Sequence, residues 1–308
     1  MAEVGLVRFA KVALEVSSAV LPLYRKKRSK HIFTQPQLLT VLLLMRFEEW
    51  TLRETEVRLL EHKELREAIG LSRAPDYTTL HRFMKRLSKG AIDGAVTETV
   101  RRMPAPPSGG DGGAVIAVDG TGLESCSFST YFVTKTGRVE RRHYLKLVAA
   151  VDIRKLMVVS LVAHEGPSND TASLPYLVED ARKLGPISLV LADAEFDSHQ
   201  NHDYIRNKAG AMSVIPATRS KKRGKPHGVR AEMRDAFPRD LYRQRSLVET
   251  VFSMIKRKLS DRAPGRSLAT QTMQAFILCL AFNIYRLKLW LFTRPHAQPP
   301  VSASYVHG

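Results

Sequence analysis

Apolar residues in the first hundred positions recur with the spacing of an α-helix. The clearest stripe comprises Leu38, Leu39, Leu42, Leu43 and Phe47. Farther along, Thr51 and Glu54 form a capping-box pattern, and Asp76 or Thr78 is placed to start another helix. We therefore predict an all-helical N-terminal domain over residues 1–103. A helix-turn-helix and a plain helical bundle both remain open, because each is built from short helices joined by turns.

A segment rich in proline and glycine interrupts this pattern at residues 104–113, which read PAPPSGGDGG. Proline stiffens the chain and removes a backbone donor, whereas glycine permits almost any backbone conformation. The combination resists both helix and strand, so we predict a linker between two domains here.

After the linker, the apolar residues gather into short runs typical of strands. Three runs separated by polar turns, Val115–Val118, Tyr144–Val151 and Leu156–Val162, predict an antiparallel meander. Strands and helices then alternate, which implies parallel pairing. The predicted elements are a helix at Leu174–Leu184, a strand at Ile187–Ala192, a helix at His199–Lys208 and a strand at Ala211–Pro216.

The predicted fold class is α/β, with a mixed sheet and the element order βββαβαβα. That order is the one expected of a ribonuclease-H-like fold. It would occupy residues 114–294, followed by a short tail at 295–308. The most apolar late stretch, Met273–Phe292, contains Gln274, Asn283, Arg286 and Lys288, which favours a buried helix over a membrane span.

The chain is strongly basic, with 48 Lys and Arg against 30 Asp and Glu and a formal net charge of +18. Its basic residues lie in several separate clusters, which suits extended double-stranded DNA better than a small acidic ligand. Charge alone leaves ribosomal or RNA-binding roles open. The two cysteines are too few for a disulfide framework, and the N-terminus lacks a signal-peptide core, so a reducing cytoplasm is the expected location.

Two carboxylates directly follow predicted strands. Asp119 comes after Val115–Val118, and Asp193 comes after Ile187–Ala192. Ligand sites of α/β sheets gather at the carboxyl ends of strands. An aspartate that merely forms a turn is nevertheless the commoner reason for this placement.

A third carboxylate, Glu249, lies in a segment of good helix formers. On a helix, Tyr242, Arg245, Glu249 and Lys256 would share a stripe within about 60° of arc. That stripe borders an apolar face, which comprises Val248, Val251, Phe252, Ile255 and Leu259. A solvated charged face, with Arg245 and Glu249 as an ordinary i,i+4 pair, is the simpler interpretation.

The same four residues carry a family resemblance. Tyr242, Arg245, Glu249 and Lys256 resemble, in identity and spacing, the Y-R-E-K signature of prokaryotic insertion-sequence transposases, the groups numbered four and five. The similarity covers about residues 114 to 290. It includes the motifs AVDGT at 117–121, YLKLVAAVD at 144–152 and ADAEFDS at 192–198. One departure is NDT at 169–171, where members often carry His-Asp-Ser.

The resemblance implies that Asp119, Asp193 and Glu249 form a DDE triad and that Tyr242, Arg245 and Lys256 contact DNA. Three converging carboxylates need a cation, and all-oxygen ligands suit two Mg²⁺ or Mn²⁺ ions. The implied partners are element ends and target DNA, held by a homodimer, with no membrane. The implied location is a prokaryotic cytoplasm, at the nucleoid.

A basic loop just before the Glu249 helix is a further candidate for contact with the DNA backbone. Its candidate residues are Arg219, Lys221, Lys222 and Arg223. We also predict that residues 1–103 bind the element's ends.

Other polar residues receive structural interpretations. His199, His202 and Asp203 are expected at the surface of a polar helix, and Asp197 and Ser198 are expected to cap it. Asp152 is expected to be a hairpin residue.

The function predicted from the sequence is metal-dependent cleavage of element ends followed by strand transfer. A ribonuclease-H-like nuclease without strand transfer uses the same chemistry and is one alternative. A non-catalytic, domesticated DNA-binding protein is another.

Overall fold

Helices make up the first third of the chain, as the hydrophobic pattern predicts. The structure is a computed structural model and describes residues 5–26, 28, 31–104, 112–125, 144–168, 170–218 and 227–293. The N-terminal helices are α1 (Leu6–Val20), α2 (Gln35–Phe47), α3 (Leu52–Glu61), α4 (Lys63–Ile69), α5 (Tyr77–Arg86) and α6 (Lys89–Arg102).

Side-chain caps fix where these helices begin. The predicted capping box is confirmed, since Thr51 Oγ1 accepts from the Glu54 N–H at 3.2 Å and Glu54 Oε2 accepts from the Thr51 N–H at 2.7 Å. Asp76 caps α5 in the same way by accepting from the Thr79 N–H. Each cap satisfies backbone donors that have no partner within the helix.

A mixed five-stranded sheet follows in the described part of the chain, with strand order β3-β2-β1-β4-β5. Its strands are β1 (Ala114–Glu124), β2 (Tyr144–Asp152), β3 (Met157–Glu165), β4 (Ile187–Ala192) and β5 (Met212–Val214). β1, β2 and β3 pair antiparallel, whereas β4 lies parallel to both β1 and β5. The predicted meander and the predicted parallel pairs are therefore confirmed.

The remaining helices alternate with the later strands or follow them in the chain. They are α7 (Leu174–Arg182), α8 (His199–Asp203), α9 (Val229–Asp235), α10 (Arg239–Tyr242), α11 (Ser246–Lys258) and α12 (Leu268–Thr293). The predicted helix His199–Lys208 is divided, because a π-helical turn at Tyr204–Lys208 follows α8.

The long helix α12 is the apolar stretch that the sequence predicts to be buried. Its residues Leu268–Phe292 are long and apolar enough to cross a membrane by length and composition alone, yet 67% of the most apolar window is buried within the protein. α12 packs against α1, α2 and α6 and also against β3. It is therefore the shared centre of the helical region and the sheet.

One buried amide ties these parts together. The Asn283 amide group of α12 accepts from the Val158 N–H at 3.0 Å and donates to the Val158 carbonyl at 2.7 Å. Its Nδ2 also donates to Thr99 Oγ1 of α6 at 3.1 Å. Because a buried polar group is costly without partners, these bonds fix the position of α12 between strand and helix.

Candidate active site

Two of the predicted site carboxylates lie side by side on the paths of two neighbouring strands, near the carboxyl end of β4. β1 and β4 are parallel neighbours in register, with Val118 opposite Ala192. Asp119 and Asp193 are the next residue after this pair on each chain, so their backbones lie about 4.8 Å apart at the same level. Asp119 lies within β1, whereas Asp193 directly follows β4. Asp119 Oδ1 accepts from the Gly120 N–H at 2.8 Å, and Asp193 Oδ1 accepts from the Ala194 N–H at 2.6 Å.

Glu249 belongs to α11, the helix that packs on β1 and β2. The apolar face predicted for this helix is buried as expected. The prediction that one helix carries Tyr242, Arg245, Glu249 and Lys256 is wrong in one detail, because a 3₁₀ turn at Arg243–Arg245 joins α10 to α11. A 3₁₀ turn has three residues per turn instead of 3.6, so it changes the angle between Tyr242 and the residues of α11.

Arg245 joins the carboxylates of two different elements. Its Nη1 donates to Asp119 Oδ2 at 2.7 Å and its Nη2 donates to Glu249 Oε1 at 2.7 Å. The Arg245 guanidinium also lies 5.7 Å from the ring centre of Tyr242, and that ring packs edge-on against Phe237. The structure thus brings Tyr242, Arg245, Glu249 and Asp119 together.

The ionisation of these groups reflects both burial and charge. Burial raises the pKa of Asp119, although the Gly120 N–H and Arg245 act in the opposite direction. Burial also disfavours the charge of Arg245, but Asp119, Tyr242, Asp193 and Glu249 outweigh it and raise the pKa of the guanidinium. The carboxylates therefore stabilise a positive charge in the site, and in this structure that charge is the guanidinium of Arg245.

The donor set is of the right type for a hard divalent ion, because Asp119, Asp193 and Glu249 offer only oxygen ligands. The arrangement is not yet that of a metal site. Among the residues that the structure describes, no group of three His, Cys, Asp or Glu side chains is close enough to hold a metal. The Arg245 guanidinium lies where the positive charge would be needed, so an ion could use these oxygens only after Arg245 had moved.

Of the other residues predicted to contact DNA, the structure describes Lys256. Lys256 lies on α11 and is half-buried, and Arg257 and Lys258 next to it are exposed. The residues predicted in the basic loop, Arg219, Lys221, Lys222 and Arg223, lie outside the described residues.

A second ionic cluster, which the sequence pattern indicates only weakly, lies on the opposite face of the sheet. Asp170 is fully buried, and its Oδ2 lies 2.6 Å from Lys146 Nζ, which also contacts Glu195 Oε1 at 3.1 Å. A Cβ on Gly120 would come within 2.9 Å of Asp170 Oδ2. Asp119 and Gly120 point to opposite faces, since side chains alternate along a strand. The lysine in the otherwise apolar strand β2 was the available signal.

Two predictions about the segment after Asp193 are wrong. Asp197 does not cap α8, because both of its oxygens accept from Arg230 at 2.8 Å and are buried with it. The pKa of Asp197 is well below its usual range, because the nearby His202 ring and the hydrogen bonds from Arg230 outweigh its burial. His202 is buried rather than exposed, and its Nδ1 bonds to Ser213 at 2.8 Å.

The remaining structural predictions for this region are confirmed. Ser198 caps α8 by accepting from the Asn201 N–H at 3.1 Å. Asp152 closes the β2–β3 hairpin, where its Oδ1 accepts from the Arg154 N–H at 2.9 Å and the Lys155 N–H at 3.2 Å.

Comparison with solved structures finds a likeness to a piggyBac transposase synaptic complex with hairpin DNA. The TM-score is 0.48 at 10% sequence identity, and the alignment covers 93% of this chain and 75% of that chain. No curated protein matches the chain in sequence.

The family comparison covers more than half of the chain. Residues 110–284 match the family described as Transposase DDE domain. The match includes β1 with Asp119, β4 followed by Asp193, and α11 with Glu249. This chain therefore belongs to the family of transposases with a DDE domain.

Proposed function

We propose that this protein is a transposase that cuts DNA at the ends of a mobile element and joins those ends to target DNA. In the proposed reaction, water attacks a phosphodiester at the element's end and displaces a 3′-hydroxyl. That hydroxyl then attacks a phosphodiester of the target, so that each new bond replaces one that is broken. We further propose that the sheet has a ribonuclease-H-like fold and that a homodimer holds the two ends.

The observation that carries this proposal is that Asp119 and Asp193 lie side by side on adjacent parallel strand paths, with Glu249 linked to Asp119 through Arg245. These carboxylates would hold Mg²⁺ or Mn²⁺ ions, which activate an attacking hydroxyl and stabilise a leaving oxygen when bound.

Arg245, Lys256 and Tyr242, which share a helical stripe with Glu249, would position the DNA. Once Arg245 leaves Asp119 and Glu249, its planar guanidinium has two donors for the oxygens of a phosphate. Lys256 would add a second phosphate contact, and the ring of Tyr242 would stack against a nucleotide near the cut.

Removing single carboxylate charges tests the proposal. We expect Asp119→Asn, Asp193→Asn and Glu249→Gln each to abolish cleavage of DNA that contains an element end, because each substitution removes metal-binding charge with little change of shape. Binding of the same DNA in a gel shift should be largely retained. Asp203→Asn, which changes an exposed carboxylate on α8, is the matched control and should cleave normally.

The products of the same assay separate the competing functions. Strand-transfer products with a supplied target DNA identify a transposase, whereas cleavage without transfer identifies a nuclease. Binding without cleavage in Mg²⁺ or Mn²⁺ would indicate a non-catalytic DNA-binding protein. Near-native cleavage by any one of the three variants would remove that residue from the triad.

A further inference from the structure

A broad groove lies between the helical region and the segment that follows α11. It has a volume of about 900 Å³ and lies between α2, α3 and α5 on one side and residues 260–274 on the other. The polar residues that line it and enter the argument are Arg46, Trp50, Lys85, Arg262, Arg266 and Gln274.

The groove is cationic. Arg46, Lys85, Arg262 and Arg266 line it, and among the described lining residues the acid that opposes them is Glu49. Lys85 and Arg266 are exposed. A concave surface lined mainly by one sign of charge concentrates a ligand of the opposite sign.

Two buried side chains of the groove have polar atoms without partners among the described residues. Arg46 is 4% exposed, and although its Nη2 donates to the Arg262 carbonyl at 2.6 Å, its Nε has no hydrogen-bond partner. Gln274 is 5% exposed, and its Oε1 has no partner either. An unmet donor and an unmet acceptor are costly when buried, so they point to a ligand that offers the opposite groups.

Trp50 supplies an aromatic surface beside these groups. It is half-buried and lines the same groove. A nucleotide is the ligand that uses all three features together. Its phosphate pairs with the cations, its base stacks on the indole ring, and its base edge carries both donors and acceptors.

The groove is held at a fixed distance from the acidic site. Glu249 lies near the start of α11 and Ser260 directly after its end, which is about 16 Å along a helix. At the far end of β1, the Glu124 N–H donates to the Asp261 carbonyl at 2.9 Å and the Ala263 N–H donates to the Glu124 carbonyl at 2.8 Å. The exposed Arg257 and Lys258 lie between the two sites.

We propose that this groove binds the DNA about five base pairs from the cut, where one nucleotide turns out of the duplex and stacks on Trp50 while its phosphates lie on Arg266 and its neighbours. The distance follows from about 16 Å of separation and a rise of about 3.4 Å per nucleotide along a strand. The proposal rests on the proposed function, because it assumes that DNA is bound at Asp119, Asp193 and Glu249.

Tryptophan fluorescence of the full-length protein tests the groove directly. The chain has two tryptophans, so Trp290→Phe leaves Trp50 as the sole fluorophore. Titration with an end-containing duplex should quench that fluorescence. In this background, Arg266→Ala should weaken binding and lower the slope of log affinity against log salt by about 0.9, the value for one phosphate contact.

Two further variants make the test specific. Arg101→Ala removes the same charge at an exposed site outside the groove and should leave affinity and slope unchanged. Gln274→Leu should weaken binding without changing the salt slope, because it removes a neutral acceptor of similar size. Thermal melting of each variant establishes that it is folded.

The possible outcomes separate the groove from the wider proposal. Failure of the wild type to bind or cleave any DNA would overturn the proposed function and the groove with it. Normal cleavage with no quenching of Trp50 would overturn the groove alone. The proposal for the groove would also be overturned if Arg266→Ala had the same affinity and salt slope as Arg101→Ala. That result would indicate that the groove holds only water.

Discussion

At the scale of single residues, the charge balance of the acidic site depends on Arg245. Asp119 and Glu249 come from different elements, and each gives one oxygen to this guanidinium. Carboxylates so close together repel one another unless a cation lies between them. Arg245 meets that need in this structure, and in the proposed reaction a divalent ion would meet it. On that proposal, the two cations compete for the same oxygens.

This competition predicts the behaviour of Arg245→Gln. Without metal, the variant should melt at a lower temperature than the wild type, because its carboxylates lose their shared partner. It should bind Mn²⁺ about tenfold more tightly or better, since no guanidinium has to be displaced, and Mn²⁺ should raise its melting temperature more than that of the wild type. Calorimetric titration and thermal melting measure both effects.

Arg243→Gln provides the control for that experiment. Arg243 is exposed, lies two positions away and pairs with Asp240, so the substitution removes the same charge without touching the carboxylates. If Arg245→Gln bound Mn²⁺ no better than Arg243→Gln, Arg245 would have to remain on the carboxylates when metal binds.

Residue patterns in the sequence reveal some of these partners and hide others. Asp119 and Asp193 could be found because each directly follows an apolar run. Arg245 and Glu249 could be paired because they lie one helical turn apart. The bond from Arg230 to Asp197 could not be foreseen, because it spans 33 positions and depends on how α9 docks. Local spacing carries no information about such a contact.

At the scale of whole elements, the order of strands and helices followed from hydrophobic periodicity, whereas their ends did not. β1 continues from the predicted Val118 to Glu124, through Gly120 and Gly122. Glycine is a poor strand former, so the sequence suggested a stop there. The backbone continues because every residue from Ile116 to Glu124 pairs with β2. A partner strand thus overrides the local preference.

The buried Lys288 of the core helix α12 lowers the stability of the folded protein. This side chain is fully buried, and its ammonium donates to the Gly5 carbonyl at 3.1 Å. Burial, together with Arg8, lowers the pKa of Lys288 from 10.5 to about 8. The folded state therefore holds a proton on this group less strongly than the unfolded chain does. Stability is reduced below about pH 8 and recovers as the pH rises toward 10.5.

Lys288→Met should remove that cost. We expect the variant to be more stable than the wild type at pH 7, and the difference should shrink between pH 8 and pH 10.5, where the folded protein has lost the Lys288 proton and the unfolded chain still holds it. Urea unfolding across this pH range measures the difference. Lys258→Met, at an exposed position of α11, should show no comparable pH dependence. A constant difference for Lys288→Met would mean that Lys288 stays charged in the folded protein.

At the scale of the whole molecule, the N-terminal helices and the sheet share one hydrophobic core. α12 contacts α1, α2 and α6 as well as β3, although it comes after the sheet in sequence. The linker composition at 104–113 could indicate where the chain changes character, but it could not indicate that the last helix returns to the first ones. The division into a DNA-end-binding unit and a catalytic unit stays a prediction. Testing it by deleting residues 1–103 would expose the apolar face of α12.

The shared core predicts how the chain behaves when it is cut rather than shortened. If residues 1–104 and 112–308 are produced together as separate chains, we expect them to purify as one complex with a single cooperative melting transition, because α12 still packs on α1, α2 and α6. The second chain alone should aggregate, since the face of α12 that contacts those helices would be exposed to water. Asn283→Leu should weaken the complex, because it removes the hydrogen bond to the Thr99 hydroxyl of the other chain and leaves the Val158 backbone without its side-chain partner. Two chains that remain monomeric, each folded and soluble, would show instead that the linker separates independent domains.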